Sequence, residues 1–162
     1  MTVALYPGTF DPIHYGHIDV ARRAAQLFEH VYVGVYDRPN KNVLFSVPER
    51  ANMASAALAA IPNITVTSYS GLTVDYCRKI GAQVIVRGLR VISDFELEYQ
   101  MALTNRQLAP DIDMVCLMTS MEHAFLSSSI LKDLAMGSRS LADFVPEEIE
   151  RNLRAKIMAG KG

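Results

Sequence analysis

Short apolar runs that are rich in β-branched residues alternate along the chain with segments of helical periodicity. The apolar runs predict strands at Val3–Tyr6, Val31–Tyr36, Ile64–Thr67, Val84–Val86 and Met114–Met118. The segments between them predict helices over 18–28, 47–60, 72–80 and 94–108, another after Ser127–Ser129, and a last one from Pro146. Alternating strands and helices are typical of a parallel sheet covered on both faces. We therefore predict an α/β fold with a doubly wound, five-stranded parallel sheet.

Two of the helical segments carry a start signal of the capping-box type. Ser46-Val-Pro-Glu49 and Ser93-Asp-Phe-Glu96 both place a glutamate three residues after a serine. In such a box the serine hydroxyl accepts a hydrogen bond from the backbone N–H of the glutamate, and the glutamate side chain accepts one from the backbone N–H of the serine. The two boxes predict helix starts near residues 47 and 94.

The chain has the organisation of one domain over residues 1–162. Its length is enough to bury about two-thirds of the surface that the unfolded chain exposes. The sequence contains no internal repeat, no low-complexity segment and no interdomain linker. Residues 158–162, with the sequence MAGKG, predict a flexible tail.

Composition narrows the class of protein. Half of the residues are apolar, which predicts a packed core, and the net charge of −1 with no basic block argues against nucleic-acid binding. The apolar runs are too short to span a bilayer, so we expect no membrane association. Met1 leads into a strand pattern rather than a signal peptide. Cys77 and Cys116 form no CxxC pair, and we expect core-facing thiols in a reducing cytoplasm.

The stretch from Tyr6 to His17, YPGTFDPIHYGH, joins the first predicted strand to the first predicted helix. It places a hydroxyl and two imidazoles, those of Thr9, His14 and His17, at a turn where helix N–H groups favour anions. Phosphate chemistry is therefore predicted there. Taken alone, Pro-Gly and Asp-Pro are ordinary turn dipeptides, and a histidine near a helix start can be a cap or a surface residue. No further ligand follows at zinc-binding spacing, so no protein metal site is predicted.

Polar clusters follow four of the predicted strands. They are Thr9–His17, Asp37–Lys41, Arg87–Arg90 and residues 119–129. In a doubly wound sheet, ligands bind beyond the carboxyl ends of the strands, where the strand order reverses. Because each cluster lies at such an end, we predict that they converge on one site.

Phosphates at this site must be held by side chains and helix starts. The sequence has neither GxGxxG nor GxxxxGK[ST], and so no glycine cradle. Arg87 and Arg90 follow a buried strand, and each guanidinium can bind phosphate oxygens in bidentate fashion. The alternative is that these arginines form ion pairs with Asp94 or Glu96.

Three serines, Ser127, Ser128 and Ser129, precede an apolar helical run. One serine suffices as the N-cap, so the others can present hydroxyls to an anion, although simple capping is the alternative. Lys41 lies in a polar loop, where a lone lysine is usually only solvated. By pattern alone, Glu98 is a surface helix residue.

Taken together, YPGTFDPIHYGH, the Lys41 loop, RGLR, FELEYQMALTNR and the FLSSS turn resemble the nucleotidyltransferase superfamily with the (H/T)xGH signature. More narrowly they resemble the phosphopantetheine adenylyltransferase family, and the resemblance covers nearly the whole chain. It implies a Rossmann-like nucleotidyltransferase fold and adenylyl transfer from ATP to 4'-phosphopantetheine, which gives dephospho-coenzyme A and pyrophosphate in coenzyme A biosynthesis. It also implies Mg²⁺ bound through the ATP phosphates and assembly as a homohexamer.

The resemblance assigns roles to individual residues. Thr9 and Lys41 would hold the attacking phosphate, and His17 would stabilise the transition state. Arg87 would bind the pantetheine phosphate, and Thr73 would touch the acceptor. The catalytic set would be Thr9, His17, Lys41 and Arg90. The nucleotide would be bound by Thr9, Phe10, His17, Gly88, Leu89, Arg90, Glu98, His123, Ala124, Phe125, Leu126, Ser127, Ser128 and Ser129.

This chemistry suits the residues. The acceptor phosphate is mostly dianionic near neutral pH, with a second pKa of about 6, and attacks the α-phosphorus without a general base or a covalent enzyme intermediate. Catalysis then reduces to positioning and charge stabilisation. The resemblance implies that Arg90, Ser128 and Ser129 would bind the β- and γ-phosphates.

Three alternatives stay open at this stage. The first is a superfamily enzyme of different specificity, such as one that joins ATP to nicotinamide mononucleotide or CTP to a polyol phosphate. The second is a non-catalytic module that senses coenzyme A, which would keep the pocket but lose His17 or an arginine, whereas this sequence has all of them. The third, a nucleic-acid-binding domain, is disfavoured by the charge balance.

Overall fold

Five strands and six helices alternate in the computed structural model, which describes residues 2–39 and 42–160. The strands are β1 (Val3–Gly8), β2 (His30–Tyr36), β3 (Ile64–Tyr69), β4 (Val84–Leu89) and β5 (Asp113–Met118). The helices are α1 (Tyr15–Leu27), α2 (Val47–Leu58), α3 (Thr73–Ile80), α4 (Ile92–Leu108), α5 (Ser128–Ala135) and α6 (Glu147–Ala159). A 3-10 turn at Met121–His123, which the periodicity does not predict, precedes α5.

All strands of the sheet are parallel, in the order β3-β2-β1-β4-β5. The predicted doubly wound, five-stranded sheet is confirmed. The order reverses between β1 and β4, which pair at Ala4↔Val84 and Leu5↔Ile85. On its other side, β1 pairs with β2 along its full length, to Gly8↔Val35. Because β4 leaves β1 after Leu5, a crevice opens between their carboxyl ends, where ligands bind in such sheets.

The core lies on both faces of the sheet. Successive side chains of a strand point to opposite faces, and in β1 Ala4 and Tyr6 pack on one face while Leu5 packs on the other. The first face is covered by α1, α2, α5 and α6, and the second by α3 with the segment that follows α4, through Ala109 and Ile112. The central strands therefore read as continuous apolar runs rather than as alternating ones.

The two predicted capping boxes have different outcomes. At the start of α2, Ser46 N–H donates to Glu49 at 2.7 Å and the Ser46 hydroxyl accepts from Glu49 N–H at 3.4 Å, as predicted. The box at Ser93 is wrong, because α4 begins at Ile92 with Val91 as its N-cap. The carboxylate of Asp94, which follows Ser93, accepts hydrogen bonds from Arg90.

Several apolar expectations need correction. Cys77 is buried, but Cys116 is exposed because it lies on the edge strand β5. Met118, the last residue of the apolar run that predicts β5, is 72% exposed. At the chain end, α6 includes Met158 and Ala159, while residues 161–162 lie outside the described residues. In the described part of the chain, no helix has both the length and the apolar character needed to cross a membrane.

Candidate active site

A cavity of about 740 Å³ occupies the crevice between β1 and β4. Of the residues predicted for the site, it is lined by Thr9, Phe10, His17, Thr73, Arg87, Gly88, Arg90, Glu98, His123, Ser127, Ser128 and Ser129. Four others, Leu89, Ala124, Phe125 and Leu126, are not among its lining residues. Lys41 lies outside the described residues. The clusters after β1, β4 and β5 thus converge as predicted, whereas the described polar residues of the cluster after β2, Asp37 and Arg38, are not among the lining residues.

The turn after β1 is shaped by Phe10, which has a left-handed backbone with φ of +50°. Such a conformation costs a non-glycine residue about 1–3 kcal/mol and persists only where the surroundings impose it. The Phe10 ring is 1% exposed and packs edge-on against the rings of Tyr6 and His17. Gly8 makes room for it, since a Cβ there would lie 2.7 Å from the ring. The buried ring therefore fixes the path of the turn past Thr9.

The HxGH motif forms the first turn of α1. The rings of His14 and His17 stack with centroids 3.7 Å apart. Gly16 permits this packing, because a Cβ there would lie 3.0 Å from His14 Cε1. The His14 backbone N–H donates to His17 Nδ1 at 3.3 Å. A ring nitrogen that accepts carries no proton, so a neutral His17 carries its proton on Nε2.

His14 is a neutral imidazole in the folded protein. It is 4% exposed, and burial, aided by Arg90 and His123, lowers its pKa to about 3. Within the described residues its Nδ1 has no hydrogen-bond partner. The positive charge at this site therefore comes from arginines rather than from His14.

Arg87 bridges β1 and β4 where the two strands separate. Its Nη1 donates to the Pro7 carbonyl at 3.0 Å, and its Nε and Nη2 donate to Glu98 Oε1 at 2.8 and 2.6 Å. Glu98 is buried, so the surface position that its sequence pattern indicates is wrong. The ion-pair partner of Arg87 is thus Glu98, not Glu96. The bonds fix the guanidinium at the floor of the cavity.

Arg90 connects the end of β4 to the loop before α5. Its Nε and Nη2 donate to the Asp94 carboxylate at 3.0 and 3.2 Å, the ion pair that the sequence offered as an alternative. Its Nη1 donates to the Leu126 carbonyl at 3.0 Å. Leu126 therefore acts on the site through its backbone, although its side chain is fully buried.

The three serines before α5 make different contacts. Ser127 is the N-cap, and its hydroxyl accepts from Ile130 N–H at 3.2 Å. The Ser128 hydroxyl donates to the Pro12 carbonyl at 3.0 Å, which ties α5 to the turn after β1. Ser129 lines the cavity. The first turn of any α-helix leaves backbone N–H groups without intrahelical partners, and here they lie at the edge of the cavity.

The far end of the cavity is more apolar. It is bounded by Leu72 and Val74 near the start of α3 and by Leu97, Met101 and Leu108 along α4. Thr73 lies here, and its hydroxyl is hydrogen-bonded to the Tyr69 hydroxyl at 3.0 Å. One end of the cavity thus suits phosphate groups, and the other suits an elongated, largely uncharged arm.

Sequence reasoning missed the buried polar groups behind the cavity. The guanidinium of Arg50, which is 1% exposed, donates to the carbonyls of Thr9, Tyr36 and Phe45 at 2.7, 2.9 and 3.1 Å. Asp11 is likewise 1% exposed and pairs with Lys132. Asp11 lies inside the stretch YPGTFDPIHYGH, but no local sequence pattern identifies Arg50 or Lys132 as a buried polar residue. Arg50 reaches Thr9, which is 41 residues away in sequence, and Lys132 reaches Asp11, which is 121 residues away.

Known proteins match this chain along its length. The model of the cytidylyltransferase-like family matches residues 5–134. A phosphopantetheine adenylyltransferase of Desulforudis audaxviator is 49% identical over 100% of both chains. One of Thermomicrobium roseum is 51% identical over 95% of this chain and 94% of its own length.

Solved structures resemble the fold. A Plasmodium falciparum nicotinic acid mononucleotide adenylyltransferase complexed with NaAD superimposes with a TM-score of 0.69 at 15% identity, over 98% of this chain and 95% of that one. A lipopolysaccharide core biosynthesis protein of Thermoplasma volcanium superimposes with a TM-score of 0.53 at 19% identity, over 74% of this chain and 97% of that one. At such identities the similarity concerns the fold alone.

Proposed function

Because the chain belongs to the phosphopantetheine adenylyltransferase family, and to the wider cytidylyltransferase-like family, we propose that it transfers the adenylyl group of ATP to 4'-phosphopantetheine. The products are dephospho-coenzyme A and pyrophosphate. One observation carries the proposal beyond the relatives' names: a single cavity has arginines, a helix start and hydroxyls at one end and an apolar wall at the other. That arrangement suits two phosphorylated substrates, one of which has a long, largely uncharged arm.

The acceptor phosphate binds beside Thr9 and Arg87. Arg87 Nε, Nη1 and Nη2 each donate one bond to Glu98 or Pro7, and a guanidinium has five N–H donors. Within the described residues this leaves an N–H on each terminal nitrogen for a phosphate oxygen. Lys41, which the resemblance assigns to the same phosphate, adds a second cation. A phosphate oxygen then attacks the α-phosphorus of ATP while the bond to the β-phosphate bridging oxygen breaks. No proton has to be removed first.

His17 stabilises the transition state of this displacement. Its Nδ1 accepts from the backbone, so its Nε2 carries the proton that donates to a non-bridging oxygen of the α-phosphoryl group. The stacked His14 ring and the Phe10 edge hold the imidazole in one orientation. A donor that is oriented in advance stabilises developing charge without reorganisation during the reaction.

The leaving pyrophosphate binds between Arg90 and the first turn of α5, with Ser128 and Ser129. The nucleotide itself is held by Phe10, Gly88, Leu89, Glu98 and residues 123–127. The backbone of this last segment is held by the bond from Arg90 to the Leu126 carbonyl. The helix dipole at α5 favours the anion here.

Mg²⁺ would be held by the ATP phosphates rather than by protein carboxylates. The described residues include no cluster of three His, Cys, Asp or Glu side chains that would hold a metal ion. The two carboxylates that line the cavity, Asp94 and Glu98, are already paired with Arg90 and Arg87. The ion supplies charge neutralisation on the β- and γ-phosphates when it is bound.

Two further properties belong to the proposal. The protein acts in the cytoplasm, which suits its free cysteines, Cys77 and Cys116. It assembles as a homohexamer, as the family resemblance implies, and the exposed apolar residues Ile92, Phe95 and Tyr99 of α4 offer contact surface for that assembly. Light scattering coupled to gel filtration tests the hexamer.

The experiment that tests the function is pyrophosphate release from ATP with and without 4'-phosphopantetheine. The proposal predicts release only with this acceptor, in a one-to-one ratio with dephospho-coenzyme A. Nicotinamide mononucleotide with ATP, and a polyol phosphate with CTP, serve as alternative substrate pairs. Turnover of either pair in preference to 4'-phosphopantetheine would refute the proposal.

A further inference from the structure

Asp11 is a buried carboxylate that joins separate segments of the chain. Its side chain is 2% exposed. Its oxygens accept from Leu44 N–H at 2.8 Å, from Phe45 N–H at 2.9 Å and from Lys132 Nζ at 2.7 Å. A buried carboxylate requires both hydrogen bonds and a counter-charge. Among the residues described, its ion-pair partner is Lys132.

Lys132 and Ser128 attach α5 to one short turn. They are four residues apart in the helix and so lie on the same face. Ser128 donates to the carbonyl of Pro12, while Lys132 pairs with the neighbouring Asp11. The first two turns of α5 are therefore held, by a neutral bond and by an ion pair, against the segment that leads into the HxGH motif.

We propose that Lys132 is a positioning residue for the polyphosphate of ATP. Its ion pair with Asp11 sets the first turn of α5 at a fixed place relative to Thr9 and His17. The inference rests on the proposed function, in which that turn binds the β- and γ-phosphates while the HxGH turn binds the α-phosphate. Both ends of the triphosphate are then held by one unit, which the Asp11–Lys132 ion pair and the Ser128–Pro12 hydrogen bond join.

The effect of losing Lys132 differs from general unfolding. Leu131 and Ala135 anchor α5 in the core, so the helix stays in place without the ion pair. Without Lys132, the first turn of α5 loses its fixed position, and the buried carboxylate of Asp11 loses its counter-charge. The affinity for the β- and γ-phosphates should fall, and the affinity for the α-phosphate should not.

The test compares the binding of ATP and of AMP, which lacks the β- and γ-phosphates, by calorimetry. For Lys132→Met we expect ATP to bind about 3- to 30-fold more weakly, the range for a residue that acts through other groups, and AMP to bind within about twofold of the parent. Lys132→Arg keeps the charge and should restore most of the ATP affinity. If Lys132→Met does not fold, Lys132→Gln takes its place.

Lys156→Met is the matched control. Lys156 also pairs with a carboxylate, that of Glu49, with Nζ and oxygen 2.7 Å apart, but the pair joins α6 to the start of α2 and does not line the cavity. Its ATP and AMP affinities should both stay at the parent values. Equal weakening of both nucleotides by Lys132→Met, or no weakening at all, would overturn the inference.

Asp11→Asn separates positioning from direct contact. If Lys132 acts through Asp11, this variant lowers the affinity for ATP as much as Lys132→Met does. The double variant then binds ATP no more weakly than either single variant. If Lys132 instead binds phosphate itself, Asp11→Asn leaves ATP affinity unchanged or raises it, and the inference fails. Calorimetry needs no turnover. A protein that shows this pattern but does not adenylate 4'-phosphopantetheine would refute the proposed function alone.

Discussion

Glu98→Ala removes the carboxylate that pairs with Arg87 and leaves a guanidinium at the floor of the cavity without its counter-charge. Breaking a fully buried pair in this way costs about 3–5 kcal/mol, and breaking an exposed pair costs about 0–1 kcal/mol. The Glu98 side chain is 8% exposed and the Arg87 side chain is 34% exposed, so the cost of breaking this pair lies between these two limits. We expect the free energy of unfolding to fall by about 2–3 kcal/mol.

The substrates should respond to this variant in opposite directions. The phosphate of 4'-phosphopantetheine can replace the lost carboxylate beside Arg87, so its affinity should rise by about tenfold, or about 1.4 kcal/mol. A ligand that binds the folded state stabilises it in proportion to the logarithm of that affinity. ATP should bind more weakly, because Glu98 belongs to the proposed nucleotide pocket.

Urea denaturation with and without each substrate measures both effects. Glu96→Ala, on the exposed face of the same helix, is the control and should change stability by less than about 0.5 kcal/mol. If Glu98→Ala is no more destabilising than this control, the Arg87–Glu98 pair is not desolvated as described. If 4'-phosphopantetheine stabilises the variant less than the parent, Arg87 does not receive its phosphate.

Three further predictions concern single side chains of the cavity. His17→Ala should lower kcat by about 10²–10³ with little change in KM, as loss of one pre-oriented donor does, whereas a raised KM with unchanged kcat would assign His17 to substrate binding. Arg87→Ala should chiefly weaken the binding of 4'-phosphopantetheine, and Arg90→Ala chiefly that of ATP and pyrophosphate, each by about 2–4 kcal/mol in steady-state or calorimetric measurements. Equal effects of each variant on both substrates would contradict the assignment. His14 has a pKa of about 3 in the folded state and about 6.5 in the unfolded state. Between pH 3 and 6.5 the unfolded state therefore binds more protons, and the free energy of unfolding falls as the pH drops below about 6.5. Between pH 7 and 5 the parent should therefore lose about 2 kcal/mol more than His14→Thr in urea titrations, and equal losses would show that His14 is protonated in the fold.

The elements of the fold could be predicted because their signals are local. The strands follow from apolar runs, and the start of α2 follows from the Ser46–Glu49 box, whose groups bond each other within one turn. The same reasoning failed at Ser93, because α4 begins at Ile92 with Val91 as its N-cap, two residues before the predicted start. A capping pattern therefore locates a helix start only to within a few residues.

The position of the site could also be predicted, since ligands bind at the switch point of such a sheet and the polar clusters after β1, β4 and β5 lie at strand ends there. The pairing of side chains within the site could not be predicted. Glu98 looks like a surface residue in its own helix, and only the approach of β4 places Arg87 beside it. The bonds of Arg50 and Lys132 reach partners that are distant in sequence, which no pattern in a single chain reveals.

The central claim is that ATP and 4'-phosphopantetheine react directly in the cavity, without an adenylyl-enzyme. The most direct test is the stereochemistry at phosphorus with a chiral α-phosphorothioate of ATP. One in-line displacement predicts inversion of configuration in dephospho-coenzyme A. Retention would require two displacements and a covalent intermediate on a residue such as His14, His17 or Lys41, and would contradict the account.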